Sequence, residues 1–339
     1  MEATSVSLSD ARAAAERIRP YARRTPLLRE PGMDAALGCE VWLKPEMLQL
    51  IGAFKMRGAL NKILSLSPEE RARGIITSSS GNHGQACAYI GRMFGIHVTV
   101  VVPEDAPRLK IENARAMGAE VIEWRRLYAD RWAKVHEEVA KHGYAIVHPY
   151  EDYTVMAGQG TIGLEILEDL PDVDTVIVPI GGGGLISGVS TVIKESKPSI
   201  RVVGVQAAAC AAYYTSRIAG RPTAVPSIAT IADGLSCAKP GEKPYPIIEK
   251  NVDEIVAVEE AEILEAVRVV ARDAKLVAEP SAAVPVAALM TGRIRTSPAE
   301  KVCCVLTAGN WDIDLIGRIL AGEAVTAIPA APAPPATPA

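Results

Sequence analysis

Apolar residues in this chain gather into short, nearly uncharged runs separated by longer stretches of helical spacing. Ile75-Ile76-Thr77-Ser78, Val176-Ile177-Val178-Pro179-Ile180 and Arg201-Val202-Val203-Gly204-Val205-Gln206 are such runs, as are residues 41–44, 97–102, 120–123, 254–258 and 301–306. Continuous rather than alternating apolarity is the mark of strands covered on both faces. Between the runs, a helix is expected over residues 11–18, capped by Ser7 or Ser9 and stopped by Pro20. Another runs from Phe54 to about Leu66. Ser67-Pro68-Glu69-Glu70 reads as a capping box that Gly74 closes. Further helices are expected up to Met93, over 107–117, 129–141 and 260–273, and beyond Pro280, with a glycine-started helix over 158–167. Strands alternating with helices make an α/β chain with parallel, doubly wound sheets. Residues 329–339, rich in Ala and Pro, read as a disordered tail.

One junction stands apart. The run ending at Ile180 enters Gly181-Gly182-Gly183-Gly184, and a helical pattern leaves through Leu185-Ile186-Ser187-Gly188. Glycines there let backbone N–H groups approach an anion, and the helix start adds the positive end of its dipole. The stretch therefore reads as a phosphate cradle rather than a flexible loop. Nucleotide sites fit poorly. A P-loop needs Gly-Lys-Ser/Thr where Leu185 and Ile186 stand, and a dinucleotide fold needs an acid where the next strand ends in Gln206. A small phosphorylated cofactor fits better.

A second strand–loop–helix unit, Ser79-Ser80-Gly81-Asn82-His83-Gly84-Gln85, offers hydroxyls, an amide and N–H groups at a helix start, which suits a carboxylate. Ser80, Gly181 and Thr307 all follow strands, where ligands of such sheets bind. Lys55 opens a helix between Phe54 and Met56, the wrong end for a cation. Two readings stand: a surface lysine whose stem lies along apolar neighbours, or an amine with a lowered pKa serving as nucleophile.

Composition narrows the field. A net charge of −4 over 339 residues gives no basic footprint for nucleic acid. Residues 175–193 carry no charge, but Pro179 and the glycines would break a membrane helix. No secretory signal is read at the N-terminus, and a cytoplasmic location is expected. The six cysteines show no Cys-x-x-Cys spacing, so neither zinc nor disulfides are expected.

Gly52-Ala53-Phe54-Lys55-Met56-Arg57-Gly58-Ala59, the Ser79–Gln85 loop, Ala157-Gly158-Gln159-Gly160-Thr161 and Gly181–Gly184 together resemble the fold type II pyridoxal-phosphate enzymes. The chain is most similar to the serine/threonine dehydratases (threonine ammonia-lyases) and their serine racemase relatives, from Arg24 to about Asp314. The resemblance implies a tryptophan synthase β-like fold of two doubly wound open-sheet domains. These are a large domain of residues 1–70 and 151–322 and a small one of 71–150, with 323–339 as tail. It also implies pyridoxal 5'-phosphate as cofactor and a homodimer or homotetramer.

The resemblance further implies that Lys55 bonds the cofactor and later moves the α-proton. Phe54 packs beside the ring, and Asn82 meets its hydroxyl. Gly181, Gly182, Gly183, Gly184 and Leu185 hold the phosphate. Ser79, Ser80, Asn82 and His83 surround the substrate carboxylate, with His83 in a binding or structural role. Glu279 either sits close to the cofactor or caps the helix after it. Thr307 faces the pyridine nitrogen, where a neutral hydroxyl suits β-elimination. The implied reaction turns a β-hydroxy amino acid such as threonine or serine into a 2-oxo acid and ammonia. Racemisation is the alternative, with Ser80 as the second acid. Arg131 matches an arginine that reaches a second acidic group, which would favour 3-hydroxyaspartate, against a solvated helix arginine paired with a nearby acid. A non-catalytic amino-acid-binding protein fits less well, because Lys55 and the cradle are both retained. Two departures stand out. Ala308 and Trp311 replace the usual residues after Thr307. Gln206, Cys210 and Ala212 stand where some relatives bind a divalent cation, and they make a poor magnesium set.

Overall fold

The computed structural model describes residues 5–106, 108–323 and 325. Its strands in chain order are β1 (Leu28–Arg29), β2 (Glu40–Pro45), β3 (Ile75–Ser78), β4 (Val98–Pro103), β5 (Glu120–Trp124), β6 (Ala145–Ile146), β7 (Thr175–Pro179), β8 (Arg201–Ala207), β9 (Glu254–Val258) and β10 (Lys301–Leu306). They form two sheets, ordered β1-β2-β10-β7-β8-β9 and β5-β4-β3-β6. All neighbours are parallel except the edge pair β1 and β2. The expected α/β class is present, and β7 is buried at every position, as its unbroken apolarity requires.

Helices cover both faces of the six-stranded sheet. On one side lies the Pro280–Met290 helix, whose residues from Pro280 to Leu289 are all buried. On the other, the Tyr153–Asp169 and Gly184–Ser196 helices pack closely. Their contact needs glycine: a Cβ on Gly188 would sit 2.7 Å from the Gly160 nitrogen. The sheet thus delivers the C-terminal ends of β7 and β10 side by side, with the glycine run and Thr307 just beyond them.

Local chemistry explains most boundaries and two departures. Ser7, not Ser9, caps the first helix, Leu8–Ile18, in a reciprocal pair with Asp10. Ser67 and Glu70 form the expected capping box. The helix expected over 158–167 begins instead at Tyr153, because the Asp152 carboxylate accepts from the Thr154 and Val155 N–H groups and starts it a turn earlier. The helix expected to reach residue 273 stops at Val269. A wider turn over Val270–Ala274 follows and ends at Lys275 in the left-handed region. The Ala/Pro-rich tail lies outside the described residues. No helix among the described residues is long and apolar enough to cross a membrane.

Candidate active site

Lys55 is placed by a turn that the chain makes against its own β10 end. Ile51 and Gly52 both have positive φ, 59° and 68°. For a β-branched residue that backbone is strained, and contacts must hold it there. The Asn310 amide donates to the Ile51 carbonyl at 2.6 Å, and Gly309 N–H donates to the Gly52 carbonyl at 3.0 Å. Ala53 then bridges Ala308, and Phe54 N–H donates to the Thr307 carbonyl at 3.0 Å. Ala308 is thus fully buried backbone support for the lysine turn, and Trp311 packs on the core of the large sheet.

Lys55 follows as the first helical residue, half-buried, its Nζ donating to the Pro149 carbonyl at 2.9 Å. Burial lowers its pKa to about 8, against weaker raising effects from Cys237, Cys87 and Glu279. Of the two readings left open by the sequence, the lysine lying along the surface does not describe this residue. Behind it, Arg57 is buried between two carboxylates, Glu46 at 2.7 Å and Glu165 at 2.6 Å, and Lys44 pairs with Glu165 at 2.6 Å. This ionic cluster pins the helix that carries Lys55.

A cavity of about 360 Å³ opens at the ends of β3, β7 and β10. Phe54, Lys55, Ser79, Ser80, Asn82, His83, Arg131, Gly181, Gly182, Gly183, Gly184, Leu185, Glu279 and Thr307 all line it. Every site residue named from sequence therefore reaches one cavity.

The cradle has the shape that an anion needs. Gly183 occupies the N-cap of the Gly184–Ser196 helix at φ 94°, and no side chain caps that helix. A Cβ on Gly182 would come within 2.5 Å of the Tyr150 ring, and one on Gly181 within 2.9 Å of the Gly234 carbonyl. The Asn82–Phe94 helix likewise starts at the cavity without a side-chain cap. Two bare helix starts on one cavity offer N–H groups and dipoles to two anions, such as a phosphate and a carboxylate.

The remaining side chains are held in defined states. Asn310 Nδ2 donates to Asn82 Oδ1 at 3.0 Å, which turns the Asn82 amide nitrogen toward Glu279, 3.2 Å from each carboxylate oxygen. Glu279 stands at the N-cap of the Pro280–Met290 helix, yet its carboxylate does not cap it. The capping reading of Glu279 is thereby set aside. His83 Nε2 donates to the Val147 carbonyl at 2.9 Å, and burial lowers the ring to about 3, with the Lys55 charge adding to the effect. The imidazole is neutral at ordinary pH and tied to backbone. Arg131 bonds Ser78 Oγ at 3.3 Å and the Arg126 carbonyl and lies over the Tyr128 ring. Its bonds go to a hydroxyl and a carbonyl rather than to a carboxylate, and burial lowers its pKa.

Sequence reasoning missed several residues. Asn310 carried a usable signal, since it follows Thr307 beyond a strand end. Tyr150 and Tyr128, joined by a 2.9 Å hydroxyl pair at the cavity, carried none. Neither did Cys237 and Ser281, which also line it. At the candidate cation position, Gln206 Oε1 accepts from Tyr214 N–H at 2.9 Å and Cys210 Sγ meets the Leu235 carbonyl at 3.4 Å. No group of three or more His, Cys, Asp or Glu able to hold a metal occurs among the described residues.

Comparison with known proteins matches residues 18–308 to a family described as "Pyridoxal-phosphate dependent enzyme". The L-threonine ammonia-lyase of Thermotoga maritima is 42% identical over 315 residues, spanning 93% of this chain and 78% of that protein. The crystal structure of serine racemase from Dictyostelium discoideum superposes with a TM-score of 0.86 at 36% identity, covering 91% of this chain and 99% of that one. The crystal structure of a T.th. threonine deaminase does so with a TM-score of 0.84 at 39% identity, covering 90% and 99%.

Proposed function

The chain belongs to the pyridoxal-phosphate dependent enzyme family, and from that premise we propose that it is an ammonia-lyase acting on a β-hydroxy amino acid such as L-threonine or L-serine. The observation that carries the reading is the meeting of three features on one cavity: a half-buried amine at Lys55 and two helix starts without side-chain caps. Gly181 to Leu185 would hold the cofactor phosphate. Asn82 and Glu279 would lie along the ring with Phe54, and Thr307 would meet its nitrogen. The cofactor supplies an aldehyde for Lys55 and an electron sink for charge that develops at the substrate Cα.

The chain's own residues do the rest. Ser79, Ser80 and the Asn82 helix start bind the substrate carboxylate and fix its orientation. Lys55, mostly neutral above pH about 8, takes the α-proton. Loss of that proton and of the β-hydroxyl removes water across Cα–Cβ. Hydrolysis of the resulting enamine then gives the 2-oxo acid and ammonia. His83, tied to the Val147 carbonyl, shapes the pocket rather than carrying protons. Ser80 lines the same cavity and is the residue through which racemisation would run.

Arg131 supports a narrower reading on substrate. A half-buried guanidinium bonded to a hydroxyl and a carbonyl at the cavity is suited to a second carboxylate, as in 3-hydroxyaspartate. We assign residues 71–150 to the small domain and the cradle to the large one. We place the enzyme in the cytoplasm, which all-free cysteines among the described residues fit. We further propose a homodimer or homotetramer, for which exposed Ile313 and Leu320 on one short helix offer an apolar stripe. The test is a screen of L-threonine, L-serine and both 3-hydroxyaspartate diastereomers for 2-oxo acid release, with chiral analysis of residual substrate. Racemised substrate without 2-oxo acid would replace the lyase by a racemase.

A further inference from the structure

The glycine run is fixed from behind by a residue outside the cavity. Tyr213 is fully buried near the start of the Ala212–Ala219 helix, and its hydroxyl donates to the Gly182 carbonyl at 3.0 Å. The same oxygen accepts from Gly241 N–H at 3.0 Å. Both of its hydrogen-bonding roles are thus used on backbone, one of them inside the cradle. The anchor is itself held. The Glu151 carboxylate accepts from the Glu242 and Lys243 N–H groups, the latter at 3.0 Å, and Glu151 adjoins the Tyr150 that packs on Gly182. Gln206 Oε1 accepts from Tyr214 N–H and so fixes the helix start that presents Tyr213.

A trans peptide has a consequence here. In the Gly182–Gly183 peptide the carbonyl and the N–H point in opposite directions. A carbonyl drawn outward to Tyr213 leaves the Gly183 N–H directed to the other side, where Gly183 lines the cavity. Glycine on both sides makes this peptide easy to rotate, and rotation would aim a carbonyl at the phosphate instead. Gly183 must also be glycine for the clamp to fit, because a Cβ there would overlap the Tyr213 hydroxyl.

We propose that Tyr213 is a positioning residue for the cofactor phosphate, locking the Gly182–Gly183 peptide with its N–H toward the cavity. The inference rests on the pyridoxal-phosphate reading and adds to it a residue that does not line the cavity. It predicts a defect specific to the phosphate, not to the ring.

The test compares wild type with Tyr213→Phe, measuring equilibrium binding of pyridoxal 5'-phosphate and of pyridoxal, which lacks the phosphate, by titration of bound-cofactor absorbance on the apo-protein. The ratio of the two affinities on one preparation is independent of how much of it folds. Tyr213→Phe is expected to bind pyridoxal 5'-phosphate about tenfold more weakly, because the Gly182 carbonyl loses its buried hydrogen bond to the hydroxyl, with pyridoxal nearly unchanged. Equal weakening of both would make Tyr213 a packing residue and overturn the proposal, as would no change in either. Wild type that binds neither ligand would instead remove the cofactor reading, and the clamp with it.

Discussion

Arg57 supplies the sharpest test of how the Lys55 helix is held. Its side chain is 1% exposed, that of Glu46 0% and that of Glu165 13%. Burial alone would lower the guanidinium pKa, yet the charges and hydrogen bonds of Glu46 and Glu165 raise it. Arg57→Ala removes the cation and leaves both carboxylates. Glu165 keeps Lys44 at 2.6 Å, while Glu46 keeps the neutral Thr25 hydroxyl at 2.6 Å. Breaking a buried ion pair from one side costs about 3–5 kcal/mol. The Lys44 contact points to the low end. For a chain of this size, about 3–5 kcal/mol corresponds to a melting point roughly 4–7 °C lower. Arg57→Lys should recover only part, since one ammonium cannot bridge two carboxylates. Arg57→Met combined with Glu46→Gln should recover more, because it leaves fewer buried charges unpaired. Thermal melts of the apo-proteins, followed by circular dichroism, decide the matter. An Arg57→Ala variant melting within about 2 °C of wild type would refute the reasoning, because water would then be solvating the exposed carboxylates at little cost.

Four further outcomes are expected. The rate at which apo-protein captures pyridoxal 5'-phosphate should rise about tenfold per pH unit and level off near pH 8, because only the neutral Lys55 amine attacks. The same lowered pKa, about 8 against an ordinary 10.5, means that the unfolded chain holds more protons in that window. Apo-protein stability from this group therefore grows as pH rises from about 8 to 10.5, which urea titrations across that range would show. Arg131→Ala should lower kcat/KM for 3-hydroxyaspartate by about tenfold to a hundredfold while threonine changes little, since a charge-assisted pair is worth roughly 1.5–3 kcal/mol; equal losses on both substrates would return Arg131 to a supporting role. A chelator titration should leave activity unchanged, because Gln206 and Cys210 already spend their polar atoms on Tyr214 and Leu235; loss restored specifically by magnesium would show that a metal is needed after all.

The parts of this molecule legible in its sequence are those fixed by local rules. Unbroken apolar runs gave the strands, and Ser67 with Glu70 gave a helix start, because each depends on neighbours a few residues away. The glycine run announced itself because four missing side chains are a local fact. What stayed hidden depends on distance along the chain. Asp152 starting a helix five residues ahead of its first obvious glycine was readable in principle, yet Tyr150 and Tyr153 on either side obscured it. Arg57 looks like any helix arginine until Glu165 arrives from 108 positions away. Tyr213 follows an alanine pair in an ordinary stretch, and its hydroxyl finds Gly182 across 31 positions. The strain at Ile51 was unreadable because β-branched residues avoid that backbone, and Asn310, from 259 positions away, holds it.

The central claim is that Lys55 and the cradle together run a β-elimination. The most direct measurement incubates the protein, loaded with pyridoxal 5'-phosphate, with L-threonine and follows 2-oxobutanoate and ammonia in parallel, beside Lys55→Ala. The account predicts the two products in equal amounts from wild type and neither from the variant. Product from Lys55→Ala at the wild-type rate, or none from wild type on any β-hydroxy amino acid, would contradict it.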